Sequence, residues 1–455
     1  MVENSKDISR ATMLKYGIGG LGIAIFSGLF GYTYNYYFYN YSSPAYNMGL
    51  ILGYSFLIFA IWNTINDPIF GFFSDRTKTR WGRRRPYIIF AVPILIAGLL
   101  MIYFPFGTGF NFFFIWILIS LFIYDTGYTF IGLNYASLLP ELTFNADKRA
   151  KTNSFSILFM AIGTVATFLI GFLFLRNVPM LQMIVLFLAI IGGCALLFTG
   201  ITIKEKKQFM EVPPLGTKDA ILKSFYNKSF VTYEIFNFTY TLMYSIIQIA
   251  LIQFAISVLE LSSFEGTIIL GLFSLVSVLG IPLMLYFNRH LGTKKTVVVF
   301  TTLFTIAISF TLIIQTFIQI IILIVILGLG YSAPSLLNPL LIANIIDEDE
   351  LKTGRRREGM YFGGNALITK PALSVAIFIV GLFNTSLFFN PGFNIHSAKY
   401  IQAGTALLGI RLITGVVPAL FLIMGLIFLL LFPLNKKRVE KMKIELDELH
   451  KKQVA

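Results

Sequence analysis

Asn63 and Asp67 stand four residues apart inside the apolar run 47–73, and Asn66 lies beside them. Positions four apart on a helix share a face, so Asn63 and Asp67 point the same way. Asp125 and Thr129 repeat that spacing inside the apolar run 110–139. If these two helices face one cavity, two acids, two amides and a hydroxyl converge. Oxygen clusters of that kind suit a hard cation such as Na+. A single desolvated carboxylate suffices for a proton, and the neutral Asn63 favours H+ of the two. An acid at the centre of a membrane helix costs about 2.5–3.5 kcal/mol on an insertion scale and marks an ion or substrate path by default.

Further polar groups interrupt other apolar runs. Lys370 needs a partner inside such a run, and either Asp67 or Asp125 would serve. The run 231–259 carries Glu234, Asn237, Thr241, Tyr244, Ser245 and Gln248 at helical spacing. In lipid a polar stripe of this kind must face protein or a water-filled cavity, and cavity lining is the favoured reading. Glu234 lies near one end of its run, where snorkelling to the interface is the alternative. Tyr331, Ser335 and Asn338 share a face in the run 319–346, with Pro334 and Pro339 breaking its regularity. Tyr128 and Asn365 complete the expected cavity set. Arg411 reads as structural.

The elements that must hold these groups are membrane helices. Of 455 residues, 56% are hydrophobic and 13% charged, with 47 Phe, which excludes an ordinary soluble domain. About twelve apolar runs are long enough to cross a hydrocarbon core. They fall at 16–38, 47–73, 87–106, 110–139, 154–175, 180–203, 231–259, 264–288, 297–318, 319–346, 358–386 and 401–432. Lipid leaves the backbone only helices or a closed barrel, and no period-2 alternation supports a barrel. The net charge is +14. Roughly 32 of the Lys and Arg residues fall on one side, the positive-inside pattern that puts both termini in the cytoplasm and binds anionic lipid, with no nucleic-acid partner. Cys194 is the one cysteine, so no internal disulfide forms. No zinc motif, phosphate-cradling loop or catalytic acid pair is found, so an enzyme or a sensor is the remote alternative.

Two halves echo each other. Trp81-Gly82-Arg83-Arg84-Arg85 after the second run is matched by Leu291-Gly292-Thr293-Lys294-Lys295 after the eighth. Pro140-Glu141 with Asp147-Lys148-Arg149 is matched by Asp347-Glu348-Asp349 with Arg355-Arg356-Arg357. Parallel six-helix halves with a solute site at the midplane form the major facilitator architecture. The expected organisation is a bundle over 1–203, a cytoplasmic linker over 204–230 containing Pro213-Pro214, a second bundle over 231–432, and a tail over 433–455. The tail alternates Lys with Glu and Asp as an amphipathic helix, solvated or lying on the inner leaflet. The loop Asp75 to Arg85, with Arg76, Arg80, Gly82, Arg83 and Arg84, is expected at the cytoplasmic surface, where charged pairs lock one conformation and open in another.

The stretch from Trp62 to Pro86 resembles the signature of the glycoside–pentoside–hexuronide:cation symporter family, the melibiose-permease-like branch of the major facilitator superfamily. Tyr16-Gly17-Ile18-Gly19, Tyr128-Thr129-Phe130 through Thr143, Ile346-Asp347-Glu348-Asp349 through Gly359, and Thr369-Lys370-Pro371 are similar to it as well. The resemblance implies an all-α, twelve-helix plasma-membrane symporter that works as a monomer without a cofactor. Its coupling ion is H+ or Na+, and its small organic solute is a sugar or glycoside. It suggests Asn63, Asn66, Asp67 and Thr129 as the cation site and Lys370 as a coupling charge. The chain departs from the sugar transporters of that family at Ala24 and Gly132, where they carry Asp, and in lacking an Arg between Lys151 and Arg176. A transporter of an amphiphile such as a lysolipid is the alternative that these losses admit.

Overall fold

The computed structural model describes residues 8–34, 37–38, 48–77, 79–142, 146–174, 177–205, 224–354, 357–383 and 404–454. Its helices group into two compact units. The first holds α1 (Arg10–Gly28, continued by a π turn over Leu29–Thr33), α2 (Met48–Arg76), α3 (Arg85–Tyr103), α4 (Phe110–Leu142), α5 (Ala146–Phe174) and α6 (Val178–Thr202). The second holds α7 (Lys228–Ser257), α8 (Ser263–Leu279), α9 (Ile281–Leu291), α10 (Thr293–Ser309), α11 (Phe317–Thr353), α12 (Glu358–Thr369), α13 (Pro371–Leu382), α14 (Gly404–Arg411), α15 (Val417–Leu431) and α16 (Lys436–Val454). Among the described residues, ten helices are long and apolar enough to span a bilayer, and α8 with α9 make an eleventh as a bent pair. Large apolar side chains such as Ile157, Phe187, Ile306 and Leu420 are exposed on the helices. Such surfaces suit lipid and not water.

In the first unit α1 is braced by tyrosines that donate to its carbonyls. Tyr135 reaches Tyr16 O at 2.7 Å, Tyr124 reaches Phe26 O at 2.9 Å, and Tyr103 reaches Leu29 O at 2.7 Å. A Cβ added at Gly22 would lie 2.6 Å from the Gly192 carbonyl oxygen, so α1 meets α6 at backbone distance. In the second unit Arg411 closes the turn between α10 and α11. Its Nη1 donates to the carbonyls of Thr311, Leu312 and Ile314 at 2.8, 3.0 and 2.7 Å. Arg411→Leu should destabilise the protein by about 2 kcal/mol, since charged hydrogen bonds to otherwise unpaired carbonyls are lost. A lower thermal midpoint in detergent checks this.

Four details depart from the hydropathy pattern. The helix carrying Asp67 runs on to Arg76, so Asp75 rides on its last turn and does not open a loop. The run 264–288 bends by 41° between α8 and α9, where Pro282 removes a backbone donor. The run 358–386 breaks at Lys370, because Pro371 does the same. α16 forms as expected, but Met442 and Leu446 are buried where the helix packs on α11, so part of its apolar face meets protein. Of the expected linker, 206–223 lie outside the described residues, and α7 begins inside its far end.

The internal repeat has a physical counterpart within each unit. Gly82 (φ +111°) and Gly292 (φ +81°) both turn the chain in the left-handed half of backbone space, which favours glycine. After Gly82, Arg85 donates through Nε to Gly200 O at 2.8 Å and through Nη2 to Ile201 O at 2.6 Å, at the C-terminus of α6. After Gly292, Lys294 donates to Leu430 O at 2.8 Å and Phe432 O at 2.6 Å, at the C-terminus of α15. Cations on the last carbonyls of a helix satisfy orphan acceptors and oppose the dipole.

Candidate functional site

The first unit brings α2 and α4 together around a buried polar cluster. Asn66 is completely buried, and its amide nitrogen donates to Asp125 Oδ2 and, at 3.2 Å, to Thr129 Oγ1. Asp125 and Thr129 are themselves buried, one turn apart on α4. Aromatic pairs flank the cluster along the helix pair: Trp62 on Phe122 with centroids 5.7 Å apart, and Phe70 stacked on Phe130 at 3.9 Å. Rings on both sides keep the carboxylate out of water, which strengthens every charge interaction inside. Asn63 and Asp67 lie beside Asn66 on α2, half-buried, and both are engaged in contacts. Tyr128 stacks on Tyr124 of its own helix, with centroids 5.9 Å apart. Ala24, at a position where sugar transporters of the resembling family carry Asp, packs its methyl onto Gly163 of α5.

The second unit contains a polar cleft of about 320 Å³. Asn237, Asn338, Asn365, Ser335 and the rings of Tyr240 and Tyr331 line it. Asn338 donates through Nδ2 to Asn237 Oδ1 at 2.9 Å, while its own Oδ1 is buried with no partner among the described residues. Tyr331 stacks between Tyr240 and Tyr244, with centroids 5.8 and 4.6 Å away. Beyond this stack a second cavity of about 390 Å³ is lined by Tyr244, Ser274, Ser277 and Ser332. Gln248 donates to the Tyr244 hydroxyl at 2.8 Å. Thr241 is off the wall, its hydroxyl turned back to Asn237 O at 2.8 Å. Glu234 does not snorkel: it is 1% exposed, and its Oε1 accepts the Asn365 amide at 3.0 Å. Stacked rings beside amides match a neutral ring bearing hydroxyls, apolar on its faces and polar on its edge.

The model of the family described as MFS/sugar transport protein matches residues 15–436. The chain belongs to that family. It is a member of the glycoside–pentoside–hexuronide:cation symporters, a multi-pass membrane transporter with the major facilitator fold, and not an enzyme. It is similar to a putative sulfoquinovose importer of Escherichia coli (25% identical, covering 97% of this chain and 94% of the relative). It is also similar to an isoprimeverose transporter of Lactiplantibacillus pentosus (26%, 89% and 85%). A sodium-dependent lysophosphatidylcholine symporter 1 of mouse matches over a shorter stretch, 29% identical over 23% of this chain and 20% of the relative. Among solved structures, a mutant of the nucleoside transporter NupG superposes with a TM-score of 0.68 at 14% identity, covering 91% of this chain and 99% of that one.

For this symporter-family chain, the expected cation residues Asn66 and Thr129 meet across α2 and α4 together with Asp125, which was expected in the cavity set. Asn237, Asn338 and Asn365 line one cleft. Lys370 sits half-buried at the α12–α13 break, in the other unit from the acids proposed as its partners. In the set expected at the cytoplasmic surface, Arg84 donates to Ser74 Oγ at 2.7 Å, and Arg80 lies over the Trp81 ring at 5.7 Å. The side chains of Asp75 and Arg76 lie outside the described residues. Sequence reasoning missed Glu205. Its carboxylate accepts the backbone N–H groups of Arg83, Arg84 and Arg85 at 2.7, 2.9 and 2.8 Å, where α3 begins. A carboxylate at a helix N-terminus meets orphan donors and the positive end of the dipole. The sole sequence signal was an acid among the lysines that follow α6.

Proposed function

We propose that the protein takes up a small, neutral, hydroxylated solute of the sugar or glycoside class together with a proton, by alternating access. The observation that carries this is the buried Asn66–Asp125–Thr129 cluster, next to Asp67, on the two helices that pack in the first unit. Asn66 turns its donors onto the two oxygens that a metal ion would need, which supports H+ over Na+. The cleft's amides and tyrosine faces support an uncharged solute, and the names of the sugar-transporting relatives support the sugar class. The termini lie in the cytoplasm on the positive-inside argument, and the chain acts as a monomer in the plasma membrane. The second reading, a lysolipid, rests on the partial match to the lysophosphatidylcholine symporter.

The test is uptake into proteoliposomes under an imposed pH or sodium gradient. The panel is labelled neutral sugars, sulfoquinovose and lysophosphatidylcholine. Accumulation of a neutral sugar with the pH gradient alone is expected. Accumulation with sodium alone overturns the proton, and accumulation of lysolipid alone overturns the solute class. Within the cleft, Asn338→Ala should weaken sugar binding about tenfold, the loss of one buried hydrogen-bonding group. Equilibrium binding of the transported sugar measures it.

A further inference from the structure

We propose that Glu234 is a proton-binding site of its own in the second unit, kept neutral by its burial behind the cleft wall, where it touches Asn365, and loaded with its proton from the cleft. This goes beyond the coupling site on α2 and α4, which lies in the other unit. Glu234 is 1% exposed. An ionised carboxylate there would offer about four acceptor sites. It receives one donor, Asn365 Nδ2 at 3.0 Å, and its Oε2 is buried with no partner among the described residues. An isolated ionised carboxylate in such a place is strongly disfavoured, and the group neutralises instead. A protonated acid fits what is present: Oε1 keeps the amide hydrogen bond and Oε2 carries the hydrogen.

The surroundings offer no compensating charge among the described residues. On α7 itself the neighbouring titratable group is Tyr233. α12 brings Asn365 and, a turn earlier, Tyr361, whose hydroxyl accepts from Asn227 at 3.2 Å. α11 presents Asn338, and its acids begin only at Asp347. Asp349 is held by Arg357, with Nε to Oδ2 at 2.8 Å and Nη2 to Oδ1 at 2.5 Å. Lys370 ends α12 and is engaged in contacts of its own, while α15 from Val417 to Leu431 bears no charged residue. Asn365 both touches Glu234 and lines the cleft, so the acid sits one side chain from the water and solute that enter there. While Glu234 is neutral the cleft is uncharged and suits an uncharged solute. Losing the proton puts a negative charge directly behind the Asn365 amide that a solute would contact.

The test is infrared spectroscopy of the purified full-length protein in detergent across a pH series. The wild-type-minus-Glu234→Gln difference spectrum at neutral pH should show the C=O stretch of a protonated carboxyl, replaced by carboxylate bands at high pH. Asp67→Asn should leave this feature intact, which separates the proposal from the coupling site. Asn365→Leu should shift the band's frequency, because the bond to Oε1 is gone. Carboxylate bands at neutral pH in the Glu234→Gln difference would overturn the proposal. If Glu234→Gln does not fold, the Asn365→Leu spectrum decides: an unshifted protonated-carboxyl band overturns it as well.

Discussion

Asp67→Asn, reconstituted into vesicles with an inward proton gradient, is expected to equilibrate its solute and no longer concentrate it. One unit charge crossing 100 mV gains about 2.3 kcal/mol. At about 1.4 kcal/mol per tenfold, that supports accumulation of a neutral solute by some tens-fold. The variant's ratio should therefore fall from tens-fold to about one, while counterflow of labelled against unlabelled solute persists. Asn cannot take up and release the proton, yet it keeps the shape of Asp, so binding and the rocking step survive. Asp125→Asn should uncouple in the same way. An amide in place of Asp125 still offers an oxygen to Asn66, so the contact between α2 and α4 is kept. Thr129→Val is the contrast. It removes one 3.2 Å hydrogen bond and no acid, and uptake should fall by no more than about tenfold. Concentrative uptake that survives Asp67→Asn intact would end the proposal for that residue.

A polar meeting of α2 with α4 was legible as a condition, because polar residues in an apolar run must find protein or water. Four-residue spacing singled out Asn63 with Asp67 on α2 and Asp125 with Thr129 on α4, whereas the contact across the helices is made by Asn66 beside the first pair. The Glu234–Asn365 bond carried no such signal. The two residues are 131 apart in sequence, and periodicity says which face a side chain occupies, not which helix it meets. Snorkelling, the alternative for Glu234, followed from its position near a helix end. It does not occur, because packing by α12 covers that end. The helix breaks at Gly280–Pro282 and Lys370–Pro371 were visible as prolines. Hydropathy averages over them, so each pair of helices reads as one span. The repeated Gly82 and Gly292 turns were legible as sequence. What they do, which is to aim Arg85 and Lys294 at the ends of α6 and α15, needed coordinates.

Gly82→Ala should be strongly destabilising. At φ +111° an L side chain is strained by about 1–3 kcal/mol. The added Cβ would also land on the Glu205 carboxylate, with Oε2 2.7 Å away. That side chain can move, but moving it breaks its hydrogen bonds to Arg83, Arg84 and Arg85. Bonds of a charged acceptor are worth about 1.5–3 kcal/mol, so the combined loss is about 3 kcal/mol or more. It should appear as a lower melting midpoint in detergent and faster proteolysis after Arg80. Gly132→Ala is the control, since its Cβ would meet nothing within 4 Å, and it should melt no lower than the wild type. The two causes separate in a double-mutant cycle. Glu205→Ala alone loses the clamp and keeps the turn. Adding Gly82→Ala to it should cost only the backbone strain, because the steric conflict has already been removed. Strict additivity of the two losses would show that Gly82 and Glu205 act independently, and the damage of Gly82→Ala would then not run through the clamp.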